Sequence, residues 1–137
     1  MKKQIYLLTL IFLLPFAVTL KGNNPPAGKP GKIEVYYFHY ERRCATCIAV
    51  EDETKNSLNE LYPAQMKKGD IAFRSVNLEE KSGEALADKL KVAGQSLVIV
   101  KDGKVTDLTD KAFMYAKSEP DKLKAEIKKQ IDLQLKK

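Results

Sequence analysis

The segment Arg42-Arg43-Cys44-Ala45-Thr46-Cys47 holds both cysteines of the 137-residue chain, two residues apart. A thiol is a nucleophile only as its thiolate. Two thiols at this spacing can pass between dithiol and disulfide, the second resolving a mixed disulfide formed on the first. The alternative chemistry for such a pair is half of a metal site. A structural zinc site wants four ligands, and beyond the two cysteines the chain offers a single histidine, His39. Zinc would then need water, carboxylates or a second subunit, so no metal ligand set is assigned. A purely stabilising bridge explains the pair poorly, because so short a loop constrains the unfolded chain little.

Something must hold the two sulfurs in place. Just before them, Ile33-Glu34-Val35-Tyr36-Tyr37-Phe38-His39 is a β-prone run with few polar residues. Such a run suits a central strand covered on both faces. Tyr40 to Arg43 turns the chain. From Cys44 or Ala45 to about Leu61 the pattern is helical, with Cys47, Ile48, Thr54, Leu58 and Leu61 as the apolar stripe and Glu51 to Glu53 on other faces. This places Cys44 at a helix N-terminus, where free N–H groups and the helix dipole favour the anion. Arg42 and Arg43 add positive charge, while Glu51 and Asp52 oppose it weakly from later in the helix. Cys44 is therefore the expected attacking thiol and Cys47, one turn inside, the resolving thiol.

Neighbouring side chains admit two roles each. His39 fits either proton handling or a structural hydrogen bond. The Thr46 hydroxyl suits a bond to a cysteine sulfur or a plain helix start. Tyr36, Tyr37 and Tyr40 fit sheet packing, or an aromatic wall beside Cys44.

The remaining elements follow in order. Pro63 stops the first helix, and Gln65 to Asp70 is a polar connection. Ile71 to Leu78 reads as a second strand. Glu79 to Ala93 reads as a helix, with Ala85, Leu86, Leu90 and Ala93 as its stripe, Ser82 as N-cap and Gly94 as C-cap. Ser96 to Val100 is a third strand. Lys101-Asp102-Gly103-Lys104 is a two-residue hairpin turn, returning as an edge strand over Val105 to Leu108. Phe113-Met114-Tyr115 reads as core. Ser118 is the N-cap of a last helix, with Pro120 in its first turn and Leu123, Ile127, Ile131 and Leu135 stacked at four-residue spacing. The expected class is α/β: a mixed four-stranded sheet in the order β-α-β-α-β-β-α, with helices on both faces. Two right-handed crossovers would precede the hairpin.

With these residues in view, the stretch 33–137 resembles a thioredoxin-like domain. Cys44-Ala45-Thr46-Cys47 stands at the active-site position, and Ser96 to Val105 resembles that fold's strand–turn–strand hairpin. More narrowly, Tyr36-Tyr37-Phe38-His39 followed by Arg43-Cys44-x-Thr46-Cys47, with the later Leu108-Thr109-Asp110 and Phe113-Met114-Tyr115-Ala116, resembles the ArsF-type family of nitrophenyl-compound nitroreductase subunits. That resemblance implies a partner reductase and a setting near arsenic resistance. It makes a dithiol site for trivalent arsenic, or a non-catalytic interaction subunit, the rival readings. Three departures from thioredoxins stand out. The buried acid six residues before the first cysteine is Phe38. The aromatic residue just before that cysteine is Arg43. The cis-proline facing the disulfide is Gln95, expected to be trans because a non-proline cis bond costs about 2.5–4 kcal/mol. A dedicated partner or small substrate is then a better expectation than general disulfide reduction. No residue pattern indicates a flavin, a nicotinamide or any other cofactor.

The ends of the chain and its charge bound the setting. Lys2 and Lys3 precede the uncharged, mostly apolar run Ile5 to Leu20. Residues 1–21 read as a signal peptide, or as a short membrane anchor, since 16 residues fall slightly below the roughly 20 needed to span. An exported protein of the periplasm or cell envelope, free or membrane-anchored, is expected. Residues 22–32 (GNNPPAGKPGK) form a Pro/Gly linker with no large apolar residue. The formal charge of +6 falls to about +3 without the three lysines of the leader. Basic and acidic residues are interspersed, so nucleic-acid binding is not expected.

Overall fold

The computed structural model describes residues 31–136. The leader and nearly all of the linker lie outside the described residues. Nine elements follow: β1 (Ile33–His39), α1 (Ala45–Leu61), α2 (Pro63–Lys68), β2 (Ile71–Asn77), α3 (Lys81–Leu90), β3 (Ser96–Lys101), β4 (Lys104–Asp107), α4 (Thr109–Tyr115) and α5 (Pro120–Leu135). The strands form one sheet in the order β2-β1-β3-β4. β2 runs parallel to β1, with Ile33 opposite Ile71 and His39 opposite Asn77. β3 runs antiparallel to β1, with Phe38 opposite Ser96. This is the expected mixed four-stranded α/β fold. The second connection is not a crossover between parallel strands, however. β3 reverses direction, so only β1-α1-β2 is a parallel unit.

Why β1 is central follows from its side chains. They alternate between two apolar layers. Ile33, Val35 and Tyr37 face one layer with Val50 and Leu58 of α1 and Leu123, Ile127 and Ile131 of α5. Tyr36 and Phe38 face the other, with Ala87 of α3 and Val98 and Val100 of β3. Ile33, Val35, Tyr37 and Phe38 are fully buried. Each large apolar side chain so buried contributes about 1.5–3 kcal/mol. The strand that delivers the cysteines is thus the best-anchored part of the molecule.

Several local expectations are corrected. The polar connection after Pro63 is the short helix α2, with Pro63 as its first residue. Pro suits that position because its missing N–H would go unpaired there anyway. α3 is shorter than Glu79–Ala93. It starts after Glu80 rather than at a Ser82 cap, and it ends on Lys91 in the left-handed region (φ 57°) rather than on Gly94. Ala85 and Ala93 are exposed. α4 occupies part of the segment before the last helix, where Ala112 is buried and Met114 is 59% exposed. Ser118 is not the cap of α5. Its hydroxyl donates back to the Met114 carbonyl at 3.1 Å, and Glu119 takes the cap position. Leu135 is exposed. The hairpin turn matches its sequence: Asp102 and Gly103 both have positive φ, at 50° and 79°.

Candidate functional site: a cysteine pair at the first helix N-terminus

β1 ends at His39, and the turn through Arg43 carries the chain to Cys44, the N-cap of α1. Cys44 has extended backbone angles (φ −86°, ψ 163°). Its Sγ accepts a hydrogen bond from the Cys47 N–H at 3.1 Å. A free helix-terminal donor therefore points at the first sulfur, where it would stabilise a thiolate. No acidic side chain lies in the first turn. Cys44 and Cys47 are joined in a disulfide, with Cα atoms 5.0 Å apart. Cys44 is exposed and Cys47 is 4% exposed. The first cysteine is open to solvent and the second is buried.

The buried stripe of α1 runs Cys47, Val50, Glu51, Thr54, Ser57 and Leu58. It differs from the expected stripe at two places. Ile48 is off it, 47% exposed beside the cysteines. Glu51, expected on another face, lies within it and is 8% exposed. A carboxylate so placed must be paired. Glu51 takes a charged hydrogen bond from the Arg43 guanidinium and another from Lys55 Nζ at 2.6 Å. Burial alone pushes the Glu51 carboxyl up; the hydrogen bonds from Lys55 and then Arg43 outweigh it and hold the group at about 2. The Arg43 guanidinium carbon also stands 5.5 Å from the centre of the Tyr37 ring. Arg43 does line the cysteine groove, but Glu51 already balances its charge. Sequence reasoning missed Glu51. The one signal for it was the Glu51–Lys55 spacing of four, which puts a carboxylate and an ammonium side by side on a helix.

A shallow groove runs past the disulfide, lined by Arg42, Arg43, Cys44, Cys47 and Gln95. Gln95 precedes β3, and its Oε1 lies 3.4 Å from Cys47 Sγ. No peptide bond among the described residues is cis, so Gln95 is trans as expected. Phe38 is fully buried in the α3-side layer. His39 does not line the cysteine groove. It lines a neighbouring one with Arg74, Asn77, Glu80 and Gly83. Its Nδ1 lies 2.9 Å from the Tyr40 carbonyl, and its ring stacks with Tyr37 at 5.9 Å between centroids. Among the described residues, no hydrogen bond joins the Thr46 hydroxyl to either sulfur. The tyrosines do not form one wall: Tyr36 faces the α3 layer, Tyr37 lies beneath Arg43, and Tyr40 is 42% exposed. Among the described residues, no group of three or more His, Cys, Asp or Glu side chains is gathered for a metal ion, and no helix is long and apolar enough to cross a membrane.

The Cys-x-x-Cys thus stands between β1, an interior strand of the β2-β1-β3-β4 sheet, and the first helix. No family model matches the chain, and no curated protein sequence does so. Among solved structures, the chain is similar to one described as that of a malarial protein. Identity is 21%, coverage is 72% of this chain and 96% of that one, and the TM-score is 0.48. It is also similar to Fasciola hepatica thioredoxin, at 24% identity over 57% of this chain and 66% of that one, with a TM-score of 0.41.

Proposed function

We propose that this chain is an exported thiol–disulfide redox protein that cycles Cys44 and Cys47 in service of a dedicated partner reductase. The observation that carries the reading is the asymmetry of the pair. The exposed sulfur sits on a helix N-terminus with an N–H aimed at it, and its bonded neighbour is buried. Attack by a Cys44 thiolate on a partner disulfide forms a mixed disulfide and expels one partner thiolate. Cys47 then attacks Cys44 Sγ, closing the internal disulfide and releasing the second thiol. Two electrons pass to the partner, and the protein must recover them from another donor. Export rests on the apolar N-terminal run. A partner reductase of the ArsF-type setting rests on the short motifs around Tyr36–Cys47 and Leu108–Ala116.

Trapping tests this. With Cys47→Ser, the second step is blocked, and a mixed disulfide through Cys44 is expected to accumulate in cells and to name the partner. If no adduct forms in that variant, or one forms equally in Cys44→Ala, the redox reading is wrong.

A second reading has one observation in its favour. Reduction would leave two sulfurs one helical turn apart on a single groove, a soft-ligand pair for a thiophilic ion. Titration of the reduced protein with arsenite decides it: tight binding lost in Cys47→Ser supports a dithiol site, and absence of binding removes it.

A further inference from the structure

We propose that Gln95 is the positioning residue for the Cys47 sulfur, its side-chain amide holding the thiol in one orientation and the thiolate in the other. This rests on the redox reading above.

The backbone fixes where the amide can go. Ser96 is the first β3 residue and lies opposite Phe38 near the end of β1, so Gln95 stands beside the chain as it leaves β1. Gly94 adopts φ +76°, and the Tyr40 hydroxyl lies 3.8 Å from where a Gly94 Cβ would stand. The Ser96 hydroxyl donates to the Gly94 carbonyl at 3.1 Å, and the Leu97 N–H donates to Thr109 Oγ1 at 3.2 Å. The loop is tied on both sides of Gln95, and its amide meets Cys47 Sγ at 3.4 Å.

A disulfide sulfur carries no proton, so in this state the approach is a contact rather than a donated hydrogen bond. Reduction changes that. Oε1 can accept from the Cys47 S–H, and a half-turn of the amide presents Nε2–H to the thiolate. Among the described residues, the groove lining holds no other side chain that can both accept and donate, and no acid; its charged groups are Arg42 and Arg43, from the turn. Glu51, one turn along α1, has its oxygens engaged by Arg43 and Lys55. Beside the loop before β3, the Tyr40 hydroxyl faces Gly94. In the resolving step Cys47 gives its proton to water and its sulfur attacks Cys44 Sγ. The Cys44–partner bond breaks, and the departing thiolate takes up a proton. Gln95 supplies no proton; it holds the sulfur through the change of charge.

The test uses the reduced chain and an aromatic disulfide whose thiolate is coloured. Attack by Cys44 releases the first equivalent and resolution by Cys47 the second, so the two phases are read separately. Gln95→Leu is expected to slow the second phase by about tenfold relative to the first, the equivalent of one hydrogen bond. Gln95→Glu keeps an acceptor but repels the thiolate, so the pH midpoint of its second phase should rise by about one unit. A residue with a merely structural role would leave that midpoint in place. Gln95→Asn, one methylene short, should behave as Gln95→Leu and serves if the leucine variant fails to fold. An unchanged second phase in all three variants overturns the role of Gln95 alone. Absence of a second phase in the unsubstituted protein overturns the redox reading beneath it.

Discussion

Glu51 and Arg43 set the charge beside the cysteines more than the local sequence suggests. Two arginines precede Cys44, yet one of them is committed to a buried carboxylate. Removing that carboxylate frees the Arg43 charge. Glu51→Gln is expected to lower the pH midpoint of Cys44 alkylation by about half a unit, since a cation near a thiol favours the thiolate; an unmoved midpoint would show Arg43 too far to act. The same carboxyl couples to stability. Its pKa is lowered from 4.5 to about 2 in the fold, so its contribution is complete above 4.5 and is lost as pH falls toward 2. For a group this buried, the loss reaches at most about 3 kcal/mol. Denaturant unfolding between pH 5 and 2 should therefore steepen in the unsubstituted protein relative to Glu51→Gln. At this scale the cysteine pair was legible from residue type and spacing, whereas Gln95 was singled out only through the family resemblance. Glu51 was not legible, because its burial and its second partner, Arg43 wrapped back over Tyr37, arise only in the fold; the Lys55 spacing alone fits an exposed helix pair equally well.

Among the elements, α3 is held by a close approach rather than by a long apolar stripe. A Cβ on Gly83 would fall 1.9 Å from the Asn77 carbonyl oxygen, so only glycine lets the helix start against the end of β2. Gly83→Ala is expected to cost about 1–3 kcal/mol, read as a lowered denaturant midpoint with an unchanged slope. On the opposite layer, the Tyr62 hydroxyl after α1 donates to Asp132 of α5 at 2.7 Å. Tyr62→Phe should cost about 1 kcal/mol, and a neutral result in thermal unfolding would mean that this hydrogen bond does not help to join α1 to α5. The strands and the long helices α1 and α5 were legible because β1 and β3 are runs of apolar residues and α5 repeats every four. Helix ends were less so. Ser82 and Ser118 look like caps, but the chain bends at Glu80 and Glu119 instead, and those ends have no side-chain cap. The close approach of Gly83 to the Asn77 carbonyl accompanies the start of α3, and no local propensity encodes that.

For the whole molecule, the disulfide and the core are separate matters. The bridge closes a loop of only four residues, which limits its stabilisation to about 2 kcal/mol, while both apolar layers lie on either side of β1 without it. The reduced protein is expected to keep its fold, with unfolding free energy within about 2 kcal/mol of the oxidised form; loss of the fold on reduction would make the pair a structural staple. The α/β class and sheet composition were legible from element order. The reversal of β3 was not, since a helix of ten residues can return the chain in either direction.

If the Cys44–Cys47 bond is made and broken in function, its reduction potential reports it. Equilibration of the protein in graded glutathione buffers, followed by thiol alkylation, should give one two-electron transition between about −120 and −300 mV, the range of redox-active pairs. Cys44→Ala and Cys47→Ser should abolish it. A pair that stays oxidised well below about −300 mV, as structural disulfides do, would show that the bond is not cycled.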